Sequence, residues 1–401
     1  MKTSMVIPTY WAKPSSVKLS VDEEIYDHPT PLDKQGTLAC TLESIKILKN
    51  RDFQLIIIIA LASDGIEQEA QEKVEDIVRS VSTEIKTTIF GPIQLRRVHK
   101  ILVADSRQDD VDLLSLKGYS NIRNLCLFLP HILGSDIAVM IDDDEIFEDA
   151  DFPTKMLDFI GKEYNGKYVN AIAGYYLQAD GDYHIKKTID PWMKHWGQYE
   201  VMNKAFDLVI GNQPRLKETP FVFGGNMIIH RNLFSQVPFD PGITRGEDID
   251  YLINAKMFGF SFFLDNKLSI KHLPPPKTHP VWQQLRQDID RFIYEKAKID
   301  NQKEIKGMIR IHAKDLDPYP GYFLKENLME RIQTTCELLS EQYRDLGDPQ
   351  GSREALNNVS LAKAHIASSQ NSFDSLCQLQ QRWQKLMEFV KNKPIITSIV
   401  G

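Results

Sequence analysis

The sequence predicts an α/β domain with a mainly parallel sheet, followed by a helical C-terminal region. Three observations carry this. Short β-rich runs alternate with helical stretches as far as about residue 280, the order that parallel βαβ units require. Residues 55–61 (LIIIIAL) are continuously apolar and mostly β-branched, as a strand buried on both faces must be. Beyond residue 280, apolar residues recur every three or four positions, and nothing strand-like appears until 394–400.

Each element follows from its local pattern. Residues 4–8 (SMVIP) read as a first strand. Residues 37–50 read as a helix with Leu38, Leu42, Ile45 and Leu48 on one face. The run 55–61 is the second strand, 67–81 a second helix and 100–104 (KILVA) a third strand. Residues 119–133 are apolar and helical. Residues 137–141 (IAVMI) form a fourth strand that ends on carboxylates, and a later strand covers 261–270. Helical periodicity then covers 281–304, 322–343 and 372–391, with a helix stop at Leu346-Gly347-Asp348-Pro349. Pro274-Pro275-Pro276 is a stiff connector at the junction. The chain thus divides into 1–280 and 281–401, and residues 11–36 form an insertion between the first strand and the first helix.

Composition narrows the function. A length of 401 residues is about two to three times a typical domain. There are 48 Lys and Arg against 55 Asp and Glu, a net charge of −7, which argues against a general nucleic-acid binder. No run of 18 apolar residues exists to cross a membrane. Residues 1–11 do not form a signal peptide. Cys40, Cys126, Cys336 and Cys377 are widely spaced in apolar contexts and make no zinc pattern, so buried free thiols in a reducing, cytoplasmic setting are expected.

Four segments carry chemistry. The strand 137–141 empties into Asp142-Asp143-Asp144-Glu145, whose like charges repel. A divalent cation such as Mg²⁺ or Mn²⁺ resolves that conflict, and in an extended segment Asp142 and Asp144 point to the same side. The plainer reading is a solvated acidic turn. Phe223-Gly224-Gly225-Asn226 places two glycines before a short strand, suited either to close ligand approach or to a simple turn. Arg245-Gly246-Glu247-Asp248 opens a helix. Its carboxylates are either an N-terminal cap or a general base for a hydroxyl. Lys271-His272 ends a strand, and its imidazole is either a satisfied polar group or a metal ligand. Trp192, His195, Trp196 and Tyr199 suit packing in an irregular loop or stacking on sugar.

In that order the segments resemble the GT-A glycosyltransferases, most closely the large family 2. Val6-Ile7-Pro8-Thr9-Tyr10 looks like that family's first strand and nucleotide-contacting turn. Asn121-Ile122-Arg123-Asn124 resembles its Arg-Asn helix, and Asp142-x-Asp144 its metal motif. The stretch from Gly224 through Phe239-Asp240-Pro241-Gly242 to Asp248 is also similar to the acceptor-side segment of peptide GalNAc-transferases. The resemblance covers roughly residues 1–280. It departs at the insertion 11–36, and at Asp64, which stands where a double Asp is common.

The resemblance implies a GT-A fold and a metal-dependent hexosyltransferase that uses a UDP- or GDP-linked sugar. It places Pro8, Thr9, Tyr10, Asp64, Arg123, Asp142, Asp143, Gly225 and Asn226 around the donor. Asp142, Asp144 and His272 would hold Mg²⁺ or Mn²⁺. Asp248, or failing it Glu247, would deprotonate an acceptor hydroxyl on a small molecule, glycan or lipid, with inversion. A retaining transferase or a sugar nucleotidyltransferase shares the fold, although Pro8-Thr9-Tyr10-Trp11 occupies the place of the Gly-rich loop that the latter wants. A non-catalytic binding protein is the further alternative. The C-terminal helices suit packing or a homodimer better than membrane-surface contact, since Arg382, Lys385, Lys391 and Lys393 make only a modest basic face. Asp317-Pro318-Tyr319-Pro320-Gly321 is a rigid turn able to reach the site.

Overall fold

The computed structural model describes residues 1–17, 26–277, 279–391 and 393–400. Its centre is a sheet whose main strands are β1 (Thr3–Ala12), β2 (Gln54–Leu61), β3 (Thr87–Phe90), β4 (Ile137–Ile141), β5 (Ala171–Leu177), β6 (Leu216–Glu218), β7 (Asn226–His230) and β8 (Phe262–His272). The order is β6-β8-β5-β7-β4-β1-β2-β3, with the short strands Thr30–Pro31 and Glu145–Ile146 attached to β1 and β8. Pairings β1–β2, β1–β4, β2–β3 and β5–β8 are parallel, while β7 and β6 run against their neighbours. The fold is therefore mixed α/β with a mainly parallel sheet, and a helical region follows it, as the alternation of elements predicts.

The first four helices, α1 (Leu38–Ile45), α2 (Glu67–Val81), α3 (Pro92–Ala104) and α4 (Tyr119–Ile132), make the crossovers between parallel strands. Short helices α5 (Phe152–Met156), α6 (Pro191–Trp196), α7 (Gln198–Val209) and α8 (Arg231–Phe234) fill the connections around β5 to β7. Helix α9 (Glu247–Met257) precedes β8. The C-terminal part is α10 (Val281–Asp300), α11 (Leu328–Asp345), α12 (Pro349–Ser368), α13 (Ser372–Lys391) and α14 (Pro394–Val400).

Several expectations need correction. Residues 100–104 are helical, not a strand. Pro92 starts α3 at its first turn, and Leu95, Val98 and Leu102 are buried at helical spacing while Val103 is 54% exposed. The third parallel strand is instead Thr87–Phe90. Residues 394–400 are also helical, with Ile396 and Val400 buried and Ile395 facing out. The first strand does not end at Pro8. It runs to Ala12, and Pro8 lies past the last β4 partner, where among the described residues β1 is paired with β2 alone. Residues 192–199 lie in α6 and α7, not in an irregular loop. Helix α12 carries few large apolar residues, and its buried face is Gly351, Ser352, Ala355, Asn358 and Ala362, so hydrophobic periodicity passes over it. All four cysteines are free, but only Cys126 and Cys336 are buried. Cys40 is exposed and Cys377 is partly so.

One apolar core links sheet and helices. It runs from Val6 and Met140 through α4 to Phe292, Trp383 and Val400. A buried charge cluster fastens α10 to α9. Lys298, with a fully buried side chain, pairs with Asp250 at 2.6 Å and Asp240 at 2.9 Å, and donates to Asn254 at 3.0 Å. Among the described residues no helix is long and apolar enough to cross a membrane. Replacing Lys298 by Met leaves two buried carboxylates without their cation. Urea unfolding should show a loss of about 3–5 kcal/mol, and a loss below 1 kcal/mol would mean the cluster does not hold α10 in place.

Candidate functional site

A cavity of about 460 Å³ opens at the carboxyl ends of β1, β4, β5 and β8, the place where open α/β sheets bind ligands. Strand β4 delivers the acidic run there because its five residues are all buried and Asp142 is the first beyond them. The segment is not extended. It turns, with the Glu145 N–H donating to the Asp142 carbonyl at 3.3 Å, so the same-side argument for Asp142 and Asp144 does not apply.

The run resolves its repulsion residue by residue. Arg123 of α4, 3% exposed, forks onto Asp142 at 2.8 and 3.0 Å, and its Nε donates to Glu247 at 3.2 Å. Asp143 accepts from the Thr9 hydroxyl at 2.6 Å, and burial, with Asp144 beside it, holds its carboxyl well above the usual range. Glu145 is fully buried and accepts from the Asp142 N–H at 3.1 Å. Burial first, then Asp142 and Asp144, push it well up too. Asp144 keeps a different partner, His272, at 3.5 Å. The antiparallel pairing of Glu145 with His272 holds them together.

Asp144 and His272 offer one hard oxygen and one imidazole nitrogen to the cavity. Among the described residues no three His, Cys, Asp or Glu side chains make a complete ion cage. Mg²⁺ and Mn²⁺ commonly take one or two protein ligands and complete their shell with phosphate and water. The pair fits such an ion, with the substrate supplying the rest.

A second wall starts at α9. Gly246 is its N-cap with φ of 70°, and a Cβ there would lie 2.1 Å from Arg291 Nη1, so only glycine admits the guanidinium. Burial pushes Glu247 up to about 7 against the pull of Arg123. Asp248 is also raised, by burial, with the Ile249 N–H, Arg291 and Arg123 opposing. Arg291 is held by Tyr319 at 2.5 Å and Asp288 at 3.3 Å, all three lining the cavity. One turn further, Glu295 is fully buried with neither carboxyl oxygen hydrogen-bonded, and burial pushes it up to about 8.

The insertion contributes a third wall. Asp27 pairs with Lys277 at 2.7 Å and Arg245 at 3.1 Å, and His28 lines the cavity with its Nδ1 buried and unbonded. Tyr26, Tyr10 and Tyr119 pack ring to ring at 4.7 to 5.5 Å behind it. The fourth wall is apolar. Rings step away from His272 through Tyr176 at 4.5 Å, Phe223 at 4.7 Å, Phe206 at 5.2 Å and Phe221 at 5.2 Å.

Of the residues singled out in the sequence, Tyr10, Arg123, Asp142, Asp143, Asp144, Glu247, Asp248 and His272 line one cavity. Pro8 and Thr9 lie buried in β1 beneath it. Three do not reach it. Asp64 is 79% exposed in its side chain and pairs with Lys117 at 2.7 Å. Gly225 is covered, because a Cβ there would lie 2.0 Å from Glu145 and 2.7 Å from Asp142. Asn226 is fully buried and bonds the Leu268 carbonyl at 3.0 Å, beside the bulge in β8. Trp192 and Trp196 are core residues, His195 is exposed, and Tyr199 lines the cavity, as does Tyr319 from the 317–321 turn.

Sequence reasoning missed Asp288 and Arg291. Their signal is a charged stripe, Asp288, Arg291, Glu295 and Lys298, at helical spacing beside the apolar face of α10. It named Arg245 only as part of the segment that opens a helix, and Asp27 and His28 only as part of the insertion; it missed Lys277 and the ion pairs that join them, because that pairing is long-range.

No family model matches the chain, and no curated protein does. Solved structures similar to it include a mannosyltransferase, PcManGT, from Pyrobaculum calidifontis in complex with GDP-Man and Mn²⁺. That match has 12% identity and a TM-score of 0.46, and covers 99% of this chain and 86% of that one. A mycobacterial protein is 15% identical with a TM-score of 0.40, over 73% of this chain and 72% of its own. A197 from STIV is 11% identical with a TM-score of 0.25, over 70% and 98%.

Glu295 gives a pH test. Its folded-state value, about 8, lies above the ordinary 4.5, so wild-type protein loses stability as pH rises through that window. Glu295→Gln mimics the protonated form. It should match wild type at pH 4.5 and have the higher thermal midpoint at pH 8.5. A variant no more stable than wild type at pH 8.5 would refute a buried neutral carboxyl.

Proposed function

We propose that the chain is a GT-A-type, metal-dependent glycosyltransferase. It moves a hexosyl group from a UDP- or GDP-linked sugar to an acceptor hydroxyl, with inversion. The single observation that carries this is that one cavity holds the Asp144–His272 pair and, across Arg123, the carboxylates Glu247 and Asp248. A charged leaving group and a proton acceptor would thus be served within one cavity.

Asp144 and His272 would hold Mg²⁺ or Mn²⁺, which when bound supplies Lewis-acid stabilisation to the departing nucleoside diphosphate. Lys277 and Arg245, steered by Asp27, present cations to the same space. Arg123 holds Asp142 in a forked pair and out of the way. Asp248 takes the acceptor proton as the acceptor oxygen bonds to the anomeric carbon and the bond to the diphosphate oxygen breaks. Its raised value brings it nearer working pH, as a general base needs. Residues 1–280 supply both carboxylate sets, and 281–401 complete the acceptor wall through Asp288, Arg291 and Tyr319.

The reading is tested by incubating the protein with a panel of UDP- and GDP-sugars, with and without Mn²⁺ or Mg²⁺. At least one donor should be cleaved, and EDTA or Asp144→Ala should abolish cleavage. If no donor binds or turns over and chelation changes nothing, the proposal is wrong. For the base, Asp248→Asn should slow transfer by about 100-fold or more while donor affinity stays within a few fold. Near-normal transfer would remove Asp248 from the role.

A further inference from the structure

The aromatic limb of the cavity has no task in the chemistry above. The charged half of the cavity meets the diphosphate and hydroxyls of a nucleotide sugar, and its flat base would need an open ring face to stack on. The limb is built from Ile185, Met202, Phe206, Phe221, Val222 and Phe223, none of which has a side-chain hydrogen-bonding group. Apart from Ile185, which precedes α6, it lies on α7 and on the segment leading into Gly224, whose Cβ position is 3.4 Å from the Asp248 side chain. The limb is therefore reached from the acceptor base.

Its shape argues for an alkyl or aryl group over a sugar. Sugars favour an open flat ring face. Here Phe206, Phe221 and Phe223 pack on each other at 41°, 47° and 81°, so their faces are used in a herringbone, and aliphatic Ile185, Met202 and Val222 fill the spaces. The surface at the mouth agrees. Leu273, between lining residues His272 and Pro274, is 39% exposed, and Ile189, two residues from lining Lys187, is 48% exposed. Lys187 donates to the lining Tyr199 hydroxyl at 3.1 Å, so an apolar limb ends at a cationic rim.

We infer that the acceptor is amphipathic: its hydroxyl meets Asp248 and its apolar group lies along the half-buried Ile185 and Met202, over the buried rings of Phe206 and Phe221. This rests on the transferase reading for the word acceptor, but the site itself is defined by binding. Burying each methylene is favourable, so chain length alone should raise affinity.

The test is direct binding, by titration calorimetry, of methyl and hexyl glycosides of glucose and of mannose to the full chain. For at least one sugar the hexyl form should bind about tenfold or more tightly than the methyl form. Met202→Asp, at a half-buried position, should bring the hexyl affinity down to the methyl value. If that variant shows a lowered thermal midpoint, Ile185→Asn, also half-buried, makes the same measurement. Equal affinities, no binding of any of the four, or a preference that survives the folded variant would overturn the inference. A tail preference without cleavage of any nucleotide sugar would sink the transferase reading and keep this site. Cleavage without a tail preference would sink this inference alone.

Discussion

The buried guanidinium of Arg123 is the constraint on which the rest of the site depends. It is almost entirely removed from water and touches two carboxylates from distant parts of the chain, Asp142 and Glu247. A charge buried this deeply persists only when paired with good geometry. Here the pairing also sets the distance between the end of β4 and the start of α9. Arg123 separates the two acidic clusters and lets each adopt its own protonation pattern. Without it, Asp142 to Glu145 and Glu247 to Asp250 would repel across a low-dielectric space.

The acidic run then divides into unlike members. Asp142 is matched by arginine, Asp143 and Glu145 are pushed toward the neutral form by burial, and Asp144 is left with an imidazole. Four consecutive carboxylates that look equivalent on paper have three different environments, because the chain turns after β4 instead of continuing as a strand. This is how neighbouring groups with one intrinsic acidity come to do different things.

Much of the fold and part of the site were legible in the sequence. Residues 55–61 and 137–141 read as strands because short apolar runs rich in β-branched residues and bounded by polar ones suit a doubly covered sheet, and the carboxylates after the second stand out against it. Lys-Ile-Leu-Val-Ala at 100–104 misleads because four apolar residues in a row look alike in a strand and in the last turn of a helix; Pro92, eight residues earlier, is the deciding signal. The Gly224-Gly225-Asn226 segment was visible, yet Gly225 and Asn226 serve the acidic turn and the β8 bulge, and only Gly224 faces the cavity. Helix α12 and the partners of Asp27 were not legible. The first hides a packing face made of small residues, and the second joins positions more than two hundred residues apart.

The fit of Arg291 against Gly246 has a consequence for how such a chain can change over time. A side chain at 246 needs a smaller residue at 291, and a shorter residue at 291 strips the cover from the start of α9. The two positions lie on either side of the junction that composition draws near residue 280, so a change at one constrains the other. The helical part is thus tied to what stands at 246, however clean the boundary looks in the sequence. A chimera joined at that boundary would carry one half of a lock cut for a different key.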